Sequence, residues 1–359
     1  MIDIESHCLS GQPPEVRFIQ LAPASRTPPP APAFLFGPAN RIVFNELFAQ
    51  GGMHAVGCYV LRNAVVGPTG VAIKDGVAFS SAAFIHPPHH VRDITGRLFK
   101  SELTAHHVRG PLAVIYGPGH ETFGHWLVDF LPRLHVLHQA GFDIMTMRFV
   151  VPPTLTRFAA DLLARLGIRQ SQLVHYRYWR EAIHTDLLVM PTGLRANNRL
   201  SPLFAAATAF WTAALHRAAS GAPRLRRVFV SRAGAPGARV LTNRDAIERA
   251  AQRRGYGIVR PEAHSLTDQV GIFAGARVIV GEYGSALHGS VYAPPGAVVV
   301  GLRGALRHPS FVQSGIGEAL AQPVGYVLGR TQGDVEQRFA VQPEDFERAL
   351  DIVEHASRI

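Results

Sequence analysis

At residues 278–288 the chain reads Val278-Ile279-Val280-Gly281-Glu282-Tyr283-Gly284-Ser285-Ala286-Leu287-His288. This stretch has the pattern of a buried strand, a turn marked by glycines and the start of a helix. In a parallel sheet, ligands bind beyond the carboxyl ends of the strands, and the N–H groups at a helix start favour a phosphate. The stretch therefore predicts an anion site, although a tight turn that holds no ligand would have the same pattern.

The residues of this turn exclude three known motifs. Tyr283 and Leu287 stand where a nucleophile elbow needs glycine. The glycine spacing also fits neither a P-loop nor a dinucleotide-binding fingerprint. We expect the backbone at Gly281 and Gly284 to come close to the ligand, and Ser285 either to cap the helix or to donate to an oxyanion.

Strands and helices alternate on both sides of this stretch. In the last third we predict strands at 227–230, 257–260, 278–281 and 297–302, with helices at 243–254, 265–274 and 285–292. Further upstream we predict strands at 112–116, 149–151 and 173–178, with helices at 123–139, 155–166 and 202–219. This alternation predicts an α/β fold with parallel, doubly wound sheets.

The two ends of the chain differ from this pattern. Residues 10–40 are rich in proline, which predicts an extended surface arm, and strands follow at 55–66 and 71–79 with a turn at Asp75-Gly76. We divide the N-terminal domain into residues 1–109, holding the arm and short strands, and 110–220, an α/β remainder. We expect residues 221–330 to form a C-terminal domain and a helix in 331–359 to pack back on the N-terminal domain.

A second candidate segment is Val228-Phe229-Val230-Ser231-Arg232, followed by Arg239 and Asn243. Ser231 and Arg232 end a strand, and Arg239 follows a glycine-containing loop. Two guanidinium groups beside such a loop suit a diphosphate, because each can hold two oxygens. Solvated surface arginines are the alternative, and Asn243 is a plausible N-cap for the next helix.

A third segment is Gly124-His125-Trp126-Leu127-Val128-Asp129-Phe130-Leu131-Pro132-Arg133. On a helix, His125 and Asp129 lie four residues apart and share a face. A carboxylate beside an imidazole makes an oriented general base, which the deprotonation of a hydroxyl requires. A hydrogen-bonded pair on a helix surface, without a catalytic role, is the alternative.

The remaining histidines and Glu262 carry weaker signals. The run His86-Pro87-Pro88-His89-His90 and the pair His106-His107 match no zinc spacing. We therefore expect no metal and no other cofactor. Glu262 follows a predicted strand and could either contact a ribose hydroxyl or cap the next helix.

Composition limits the class of protein. The formal charge is +10, but 34 of the 36 basic residues are arginines that lie scattered along the chain. Nucleic-acid binding would need a dense basic stripe, so we expect instead a basic cleft for a small anion. Such a surplus is also compatible with weak peripheral association with an acidic membrane surface. With two cysteines and an acidic N-terminus, we expect a cytoplasmic protein, at the inner face of the membrane if it associates with one.

In their order along the chain, the three segments resemble glycosyltransferase family 61, in its bacterial branch of capsular polysaccharide biosynthesis proteins. The resemblance covers residues 110–305 and includes Glu262, Ser265-Leu266, Gln269 and Ala293-Pro294-Pro295-Gly296. Many members carry histidine where Tyr283 stands and asparagine where Gly289 stands.

The resemblance implies a GT-B fold, in which two Rossmann-like domains face each other across a cleft, and inverting, metal-independent transfer of a hexosyl or pentosyl group. The donor would be a nucleotide sugar, bound by the C-terminal nucleotide-sugar-binding domain of residues 221–330. The acceptor would be a glycan or polysaccharide on the side of residues 110–220. Asp129 or His125 would be the base. The resemblance and the residues together give these nucleotide-sugar-binding candidates: Ser231, Arg232, Arg239, Asn243, Glu262, Glu282, Tyr283, Gly284, Ser285 and His288.

Two other functions are compatible with the sequence. In a non-catalytic nucleotide- or sugar-binding protein on the same fold, Arg232 and Arg239 would still bind the ligand, while His125 and Asp129 would be structural. A metal-dependent hydrolase that uses the histidine clusters would bind stoichiometric zinc.

Overall fold

The computed structural model describes residues 2–3, 16–26, 28–49, 51–67, 70–75, 77–80, 104–177, 180–234, 239–305, 310–331 and 338–356. Three predicted features lie outside these ranges: the histidines of 86–90, Cys8 and most of the loop before Arg239.

The strands alternate with helices along most of the chain, as predicted. They are β1 (Ile2–Asp3), β2 (Val16–Ala22), β3 (Phe34–Phe36), β4 (Val56–Val66), β5 (Ala72–Lys74), β6 (Val77–Ser80), β7 (Thr104–Val114), β8 (Arg148–Val151), β9 (Leu173–His175), β10 (Glu181–Pro191), β11 (Arg195–Ala196), β12 (Arg199–Leu200), β13 (Arg227–Val230), β14 (Val240–Leu241), β15 (Gly257–Val259), β16 (Val278–Glu282), β17 (Val298–Gly304), β18 (Val324–Thr331) and β19 (Arg338–Ala340).

The α-helices are α1 (Arg41–Leu47), α2 (Phe123–His125), α3 (Pro132–Gln139), α4 (Arg157–Arg165), α5 (Phe204–Ala218), α6 (Arg244–Arg253), α7 (Leu266–Ala274), α8 (Val312–Ala319) and α9 (Pro343–Ala356). A π-helical turn, Trp126–Phe130, joins α2 to α3, and 3₁₀ helices span Gln170–Gln172, Pro261–Ala263 and Ser285–Tyr292.

The chain forms two compact units. Unit 1 comprises residues 1–25, 53–196 and 206–211, and unit 2 comprises residues 26–52, 197–205 and 212–359. The chain therefore passes between the units more often than the predicted divisions at residues 110, 221 and 331 imply. The short segments at 26–52 and 206–211 carry too little periodic pattern to be placed from sequence.

The sheet of unit 1 has the strand order β1-β6-β5-β4-β10-β7-β8-β9, with β2 also paired to β4. From β10 to β9 every neighbouring pair is parallel, whereas β4 is antiparallel to β10. The chain runs from β7 outward through β8 to β9 and then returns to place β10 on the other side of β7. The strand order therefore reverses between β7 and β10. The topological switch point of unit 1 lies at the carboxyl ends of these two strands.

The sheet of unit 2 has the strand order β14-β19-β18-β17-β16-β13-β15, with β3 added to β18. From β15 to β18 the neighbouring pairs are parallel. The chain moves from β13 to β15 on one side and then to β16 on the other, so the switch point of unit 2 lies between β13 and β16. Val278, Ile279 and Val280 are fully buried, as expected for a parallel strand covered on both faces.

Three features differ from the sequence prediction. The buried face of the C-terminal helix α9, including Phe346 and Leu350, lies in the core of unit 2, whereas we expected this face to pack on the N-terminal domain. Part of the proline-rich segment forms strands, since β2 pairs with β4 and β3 pairs with β18. The strand β10 was not predicted at all.

Other predictions are confirmed. The described elements form a mixed α/β fold, and the antiparallel strands β5 and β6 flank the predicted turn at Asp75. Within the described ranges, no helix combines the length and the apolar character needed to cross a membrane.

Candidate functional site

In unit 1 the switch point brings two loops together. The loop after β7 leads into α2 and the π-helical turn, and the segment after β10 carries Arg195. Since β7 and β10 are parallel neighbours, with Ala113 opposite Val189, their carboxyl ends lie at the same edge of the sheet. The two loops therefore begin beside each other.

Three side chains meet at this edge, and we call them the unit 1 cluster: His125, Asp129 and Arg195. Nδ1 of His125 donates to Oδ2 of Asp129 at 2.6 Å. Arg195 holds the same carboxylate with two hydrogen bonds, from Nε to Oδ1 at 2.7 Å and from Nη2 to Oδ2 at 3.0 Å. Because an ionised carboxylate only accepts, Nδ1 carries the imidazole hydrogen and Nε2 carries the lone pair.

The charge state of Asp129 follows from these contacts. Burial would raise the pKa of its carboxyl, but the charge of Arg195 and the hydrogen bonds from His125 and Arg195 hold that pKa well below its ordinary value. A carboxylate that is so weakly basic is poorly suited to take a proton from a hydroxyl. Of the two predicted base candidates, the geometry favours His125, with Asp129 orienting it.

The local backbone helps to fix His125. Gly119 lies in the loop before α2 with φ +84°, and a Cβ built there would lie 2.8 Å from Nε2 of His125. Glycine is the residue that adopts this φ without strain and also leaves room for the ring. The indole of Trp126, which is fully buried, donates to the carbonyl of His120 at 2.8 Å and ties the loop to the helix.

Asp129 lies within the π-helical turn between α2 and α3. Pro132 cannot donate a backbone hydrogen bond, and the wider turn lets Leu131 donate to the carbonyl of Trp126 at 2.9 Å instead. The carbonyl of Asp129 accepts from Nε of the buried Arg133 at 3.0 Å. Burial lowers the pKa of Arg133 to about 10. Single π-helical turns of this kind are frequent at functional sites.

In unit 2 the switch point places arginines around a glycine turn. Arg232 follows β13, and Gly284 follows β16, whose Gly281 lies opposite Val230. A Cβ built on Gly284 would lie 2.6 Å from Nη1 of Arg232 and 3.5 Å from Nη2 of Arg239. The two guanidinium groups predicted from separate parts of the loop therefore meet at the turn.

A third arginine at this edge was not predicted. Arg303 lies on β17, next to β16 in the sheet, and is almost fully buried. Its guanidinium stacks on the ring of Phe311 at 3.9 Å and lies 5.4 Å from the centre of the Tyr283 ring. We call Arg232, Arg239, Arg303 and the Gly284 turn the unit 2 cluster.

The unit 2 cluster concentrates positive charge. Burial lowers the pKa of Arg239, the charges of Arg232 and Arg303 lower it further, and Tyr283 acts in the opposite direction. Nη1 of Arg239 is buried, and within the described ranges it has no hydrogen-bond partner. Like charges that face one another at a strand edge favour an anionic ligand, which would relieve their repulsion.

Glu282 has a different place from the one predicted for it. Its buried carboxylate accepts from Nε and Nη2 of Arg244 at 2.6 and 3.0 Å and from the backbone N–H of Arg232 at 2.9 Å. These bonds join the ends of β13 and β16 to the start of α6. The structure therefore makes Glu282 a positioning residue for the loop of Arg232.

Ser231 and Asn243 are also engaged by the protein. The hydroxyl of the fully buried Ser231 donates to Glu248 at 2.6 Å and accepts from the backbone of Ala233. Asn243 occupies the predicted N-cap position without making a side-chain cap bond. Its amide exchanges two hydrogen bonds with the backbone of Val341 instead, at 2.7 and 3.2 Å.

Tyr283 and His288 meet at a buried glutamine. The backbone N–H of Gln313 donates to the hydroxyl of Tyr283 at 3.2 Å, and its side-chain oxygen accepts from Nδ1 of His288 at 2.9 Å. Gln313 is fully buried and also donates to Ser290 at 2.7 Å. The Tyr283 hydroxyl thus points toward α8, whereas Nε2 of the partly exposed His288 faces away from Gln313.

The last two predicted residues lie at helix starts. Ser285 is the first residue of the 3₁₀ helix Ser285–Tyr292, where Gly284 holds the cap position. Glu262 is exposed on the short helix after β15. Ser265 caps α7 by accepting from Asp268 at 3.1 Å, so the capping role considered for Glu262 is taken by another residue.

Four residues of these sites were missed by sequence reasoning: Arg195, Arg244, Arg303 and Gln313. An arginine after a strand is the signal that found Arg232. The same signal was present at Arg303, which directly follows the strand predicted at 297–302, and Arg195 follows β10, which was not predicted. No sequence pattern marks Arg244 or Gln313, because each acts through a partner that is distant along the chain.

The described residues contain no group of three or more histidine, cysteine, aspartate or glutamate side chains placed to hold a metal ion. His106 and His107 lie instead beside single carboxylates, those of Glu181 and Asp186.

The family resemblance is supported by comparison with known proteins. Residues 123–300 match the family model of Glycosyltransferase 61. The match covers about half of the chain, including the unit 1 pair His125 and Asp129 and, in unit 2, Arg232, Arg239 and the Gly284 turn. It supports placing the chain in this family and, with it, glycosyltransferase activity on a sugar donor and an acceptor. No curated protein matches the chain.

Proposed function

With the match to glycosyltransferase family 61 as the premise, we propose that the protein is an inverting glycosyltransferase that uses a nucleotide-diphosphate sugar. The observation that carries the proposal is the unit 2 cluster, where guanidinium groups surround a glycine turn at a topological switch point. A diphosphate leaving group develops negative charge as its bond to the sugar breaks. Preorganised cations stabilise such charge.

The unit 1 cluster supports the other part of the reaction, which is removal of the proton from the acceptor hydroxyl. Nε2 of His125 takes the proton of the acceptor hydroxyl while that oxygen forms its bond to the anomeric carbon. The bond from the anomeric carbon to the diphosphate oxygen breaks at the same time, and the diphosphate leaves with the electron pair. A single displacement of this kind inverts the anomeric configuration.

Asp129 and Arg195 have positioning roles in this proposal. Asp129 fixes the tautomer and orientation of His125 and stabilises the imidazolium that forms, as an orienting carboxylate does in a catalytic triad. Arg195 keeps Asp129 ionised. The donated hydrogen bond from Nδ1 to a carboxylate is the observation that favours catalysis over a purely ligand-binding function.

Metal independence, the class of the donor sugar and the class of the acceptor are also proposals. The arginines supply the positive charge that a divalent cation would otherwise bring to the diphosphate, so we propose that transfer is independent of metal and unaffected by a chelator. The resemblance to the capsular branch suggests a hexosyl or pentosyl donor and a polysaccharide acceptor at the cytoplasmic face of a membrane.

The proposal is tested by thermal stability in the presence of the diphosphates of uridine, guanosine, adenosine, cytidine and thymidine and of their sugars. A ligand that binds the native state raises the melting temperature by mass action. We expect one nucleotide to do so in the wild type and in Arg330→Gln, which removes an exposed arginine of β18. The shift should disappear in Arg232→Gln.

Two results would contradict the proposal. One is the absence of a shift with every nucleotide and nucleotide sugar of the panel. The other is a shift that Arg232→Gln retains in full, which would place the nucleotide away from the unit 2 cluster.

A further inference from the structure

A second group of arginines surrounds a pocket in unit 2. The pocket has a volume of about 500 Å³ and lies at the amino ends of β13, β15 and β16. Arg226, Arg227 and Arg277 line it, with Leu225 and Val278 among the apolar residues between them. Its volume is within the range of small-molecule sites, about 300–1,000 Å³.

This pocket is separate from the unit 2 cluster. Both involve β13 and β16, but Arg227 begins β13 whereas Arg232 follows its carboxyl end. Five residues of extended chain at a rise of ~3.3 Å separate these positions by about 16 Å. A ligand held at one edge of the sheet therefore does not occupy the other.

The backbone brings two of the arginines together. The carbonyl of Arg226 accepts from the N–H of Arg277 at 2.8 Å and from that of Val278 at 3.1 Å. The side chains of Arg226 and Arg277 thus leave neighbouring points of the backbone and line one pocket. Both are exposed, and neither forms an ion pair with any residue in the described ranges.

Arg227 differs from these two. Its Nη1 donates to the carbonyl of Arg254 at 2.7 Å and lies 3.9 Å from Glu354. The carboxylates of Glu347, Asp351 and Glu354 are in turn held by Arg254 at 2.6–3.1 Å. The neighbouring acids are therefore bound to other partners, and Arg226 and Arg277 remain the available cations of the pocket.

We propose that this pocket binds the carboxylate or phosphate group of an acidic saccharide through Arg226 and Arg277. Each guanidinium can hold two oxygens of such a group, and Arg226 and Arg277 both line this pocket. The partly exposed Leu225 gives the pocket an apolar surface that suits the C–H face of a sugar ring. The saccharide part of this assignment rests on the proposed function, whereas the anion part rests on the pocket alone.

The experiment is calorimetric titration of the full-length protein with three probes: a galacturonic acid trisaccharide, the neutral galactose trisaccharide and inorganic phosphate. We expect the acidic trisaccharide to bind and the neutral one to bind at least tenfold more weakly. Arg226→Gln and Arg277→Gln should each weaken the acidic trisaccharide about tenfold or more, the size of a lost hydrogen bond to a charged group.

Competition by phosphate and two control variants distinguish the possible causes of trisaccharide binding. Competition by inorganic phosphate would show that the anchor accepts phosphate as well as carboxylate, and absence of competition would assign it to carboxylate; both support the proposal. Arg109→Gln and Arg148→Gln remove exposed arginines of unit 1 and should leave the affinity within twofold. Equal loss in these controls would reveal attraction to net charge and overturn the proposal.

The proposal is also overturned if the acidic trisaccharide fails to bind, or if its affinity survives in both Arg226→Gln and Arg277→Gln. Arg232→Gln separates this outcome from failure of the proposed function. It should abolish nucleotide binding and leave trisaccharide binding unchanged, while the two pocket variants should show the reverse pattern. Because all of these side chains are at least partly exposed, we expect the variants to fold, and their melting temperatures provide the check.

Discussion

The two switch points of the molecule have similar topology but differ in their balance of charge. In unit 1 a carboxylate lies between a histidine and an arginine, so the charges are paired and the imidazole is oriented. In unit 2 guanidinium groups crowd around a glycine turn, and the carboxylate of Glu282 is bound by Arg244. The comparison teaches that the order of the strands determines where a site can form, namely at the carboxyl ends of the strands at a switch point. A few side chains then determine whether that site suits proton transfer or anion binding.

The largest effect is expected when His125, the proposed base of the unit 1 cluster, is replaced. In His125→Ala we expect the transfer rate to fall by about 10²–10⁴, the usual contribution of a general base, while nucleotide affinity stays within twofold. Steady-state transfer and calorimetric binding measure the two quantities. His184→Ala, which removes an exposed histidine of β10, is the control, and full activity of His125→Ala would refute the assignment of the base.

The next effect concerns the buried pair of unit 2. Arg244→Met leaves the carboxylate of Glu282 buried without its main partner, and we expect the free energy of unfolding to fall by about 3–5 kcal/mol. Denaturant unfolding measures the change. The double variant Arg244→Met/Glu282→Leu should recover most of the loss. Arg165→Met, from a partly exposed pair with Asp161, should cost only about 0–1 kcal/mol. If Arg244→Met loses as little free energy of unfolding as Arg165→Met, Glu282 does not have the positioning role assigned to it.

A smaller effect is expected in Asp129→Asn, and it depends on pH. The folded-state pKa of Asp129 lies below its unfolded value of about 3.9. Its contacts therefore stabilise the native state above that unfolded pKa, and this contribution is lost as the pH falls through the folded-state pKa. We expect the variant to be less stable by about 1.5–3 kcal/mol at neutral pH and the gap to narrow below about pH 4. Thermal unfolding from pH 3 to 7 measures it, and a gap independent of pH would contradict the ionised pair.

The smallest effect is expected at Glu262. Because this carboxylate is exposed, Glu262→Gln should change the free energy of unfolding by no more than about 0.5 kcal/mol. If Glu262 contacts the ribose, nucleotide affinity should fall by up to about tenfold without a change in the rate at saturation. Unchanged affinity would remove Glu262 from the site.

The sequence predicted β7, β8 and β9 in unit 1 and β13, β15, β16 and β17 in unit 2, because buried strands and amphipathic helices alternate there with clear periods. It also proposed Arg232, Arg239, His125 and Asp129 as site residues, since each lies in a short segment with a local pattern. It did not predict that Arg195 reaches Asp129, because β10 carries charged residues such as Glu181 and Asp186 among its apolar ones.

The roles of several predicted residues depend on distant partners. Glu282 and Asn243 looked available from their positions at a strand end and a helix start. Their side chains are occupied by Arg244 and by the backbone of Val341, which lie 38 and 98 residues away. Local spacing carries no information about such pairings, and for this reason the positions of the two strand ends were easier to predict than the partners of their side chains.

The most direct test of the division of labour between the two switch points is a crossed comparison of two variants. Arg239→Gln and His125→Ala would each be titrated with the nucleoside diphosphate that stabilises the wild type most, and their transfer rates measured at saturating donor. We expect Arg239→Gln to weaken binding about tenfold or more and His125→Ala to bind within twofold of the wild type while losing transfer. Wild-type affinity in Arg239→Gln, or loss of nucleotide binding in His125→Ala, would contradict it.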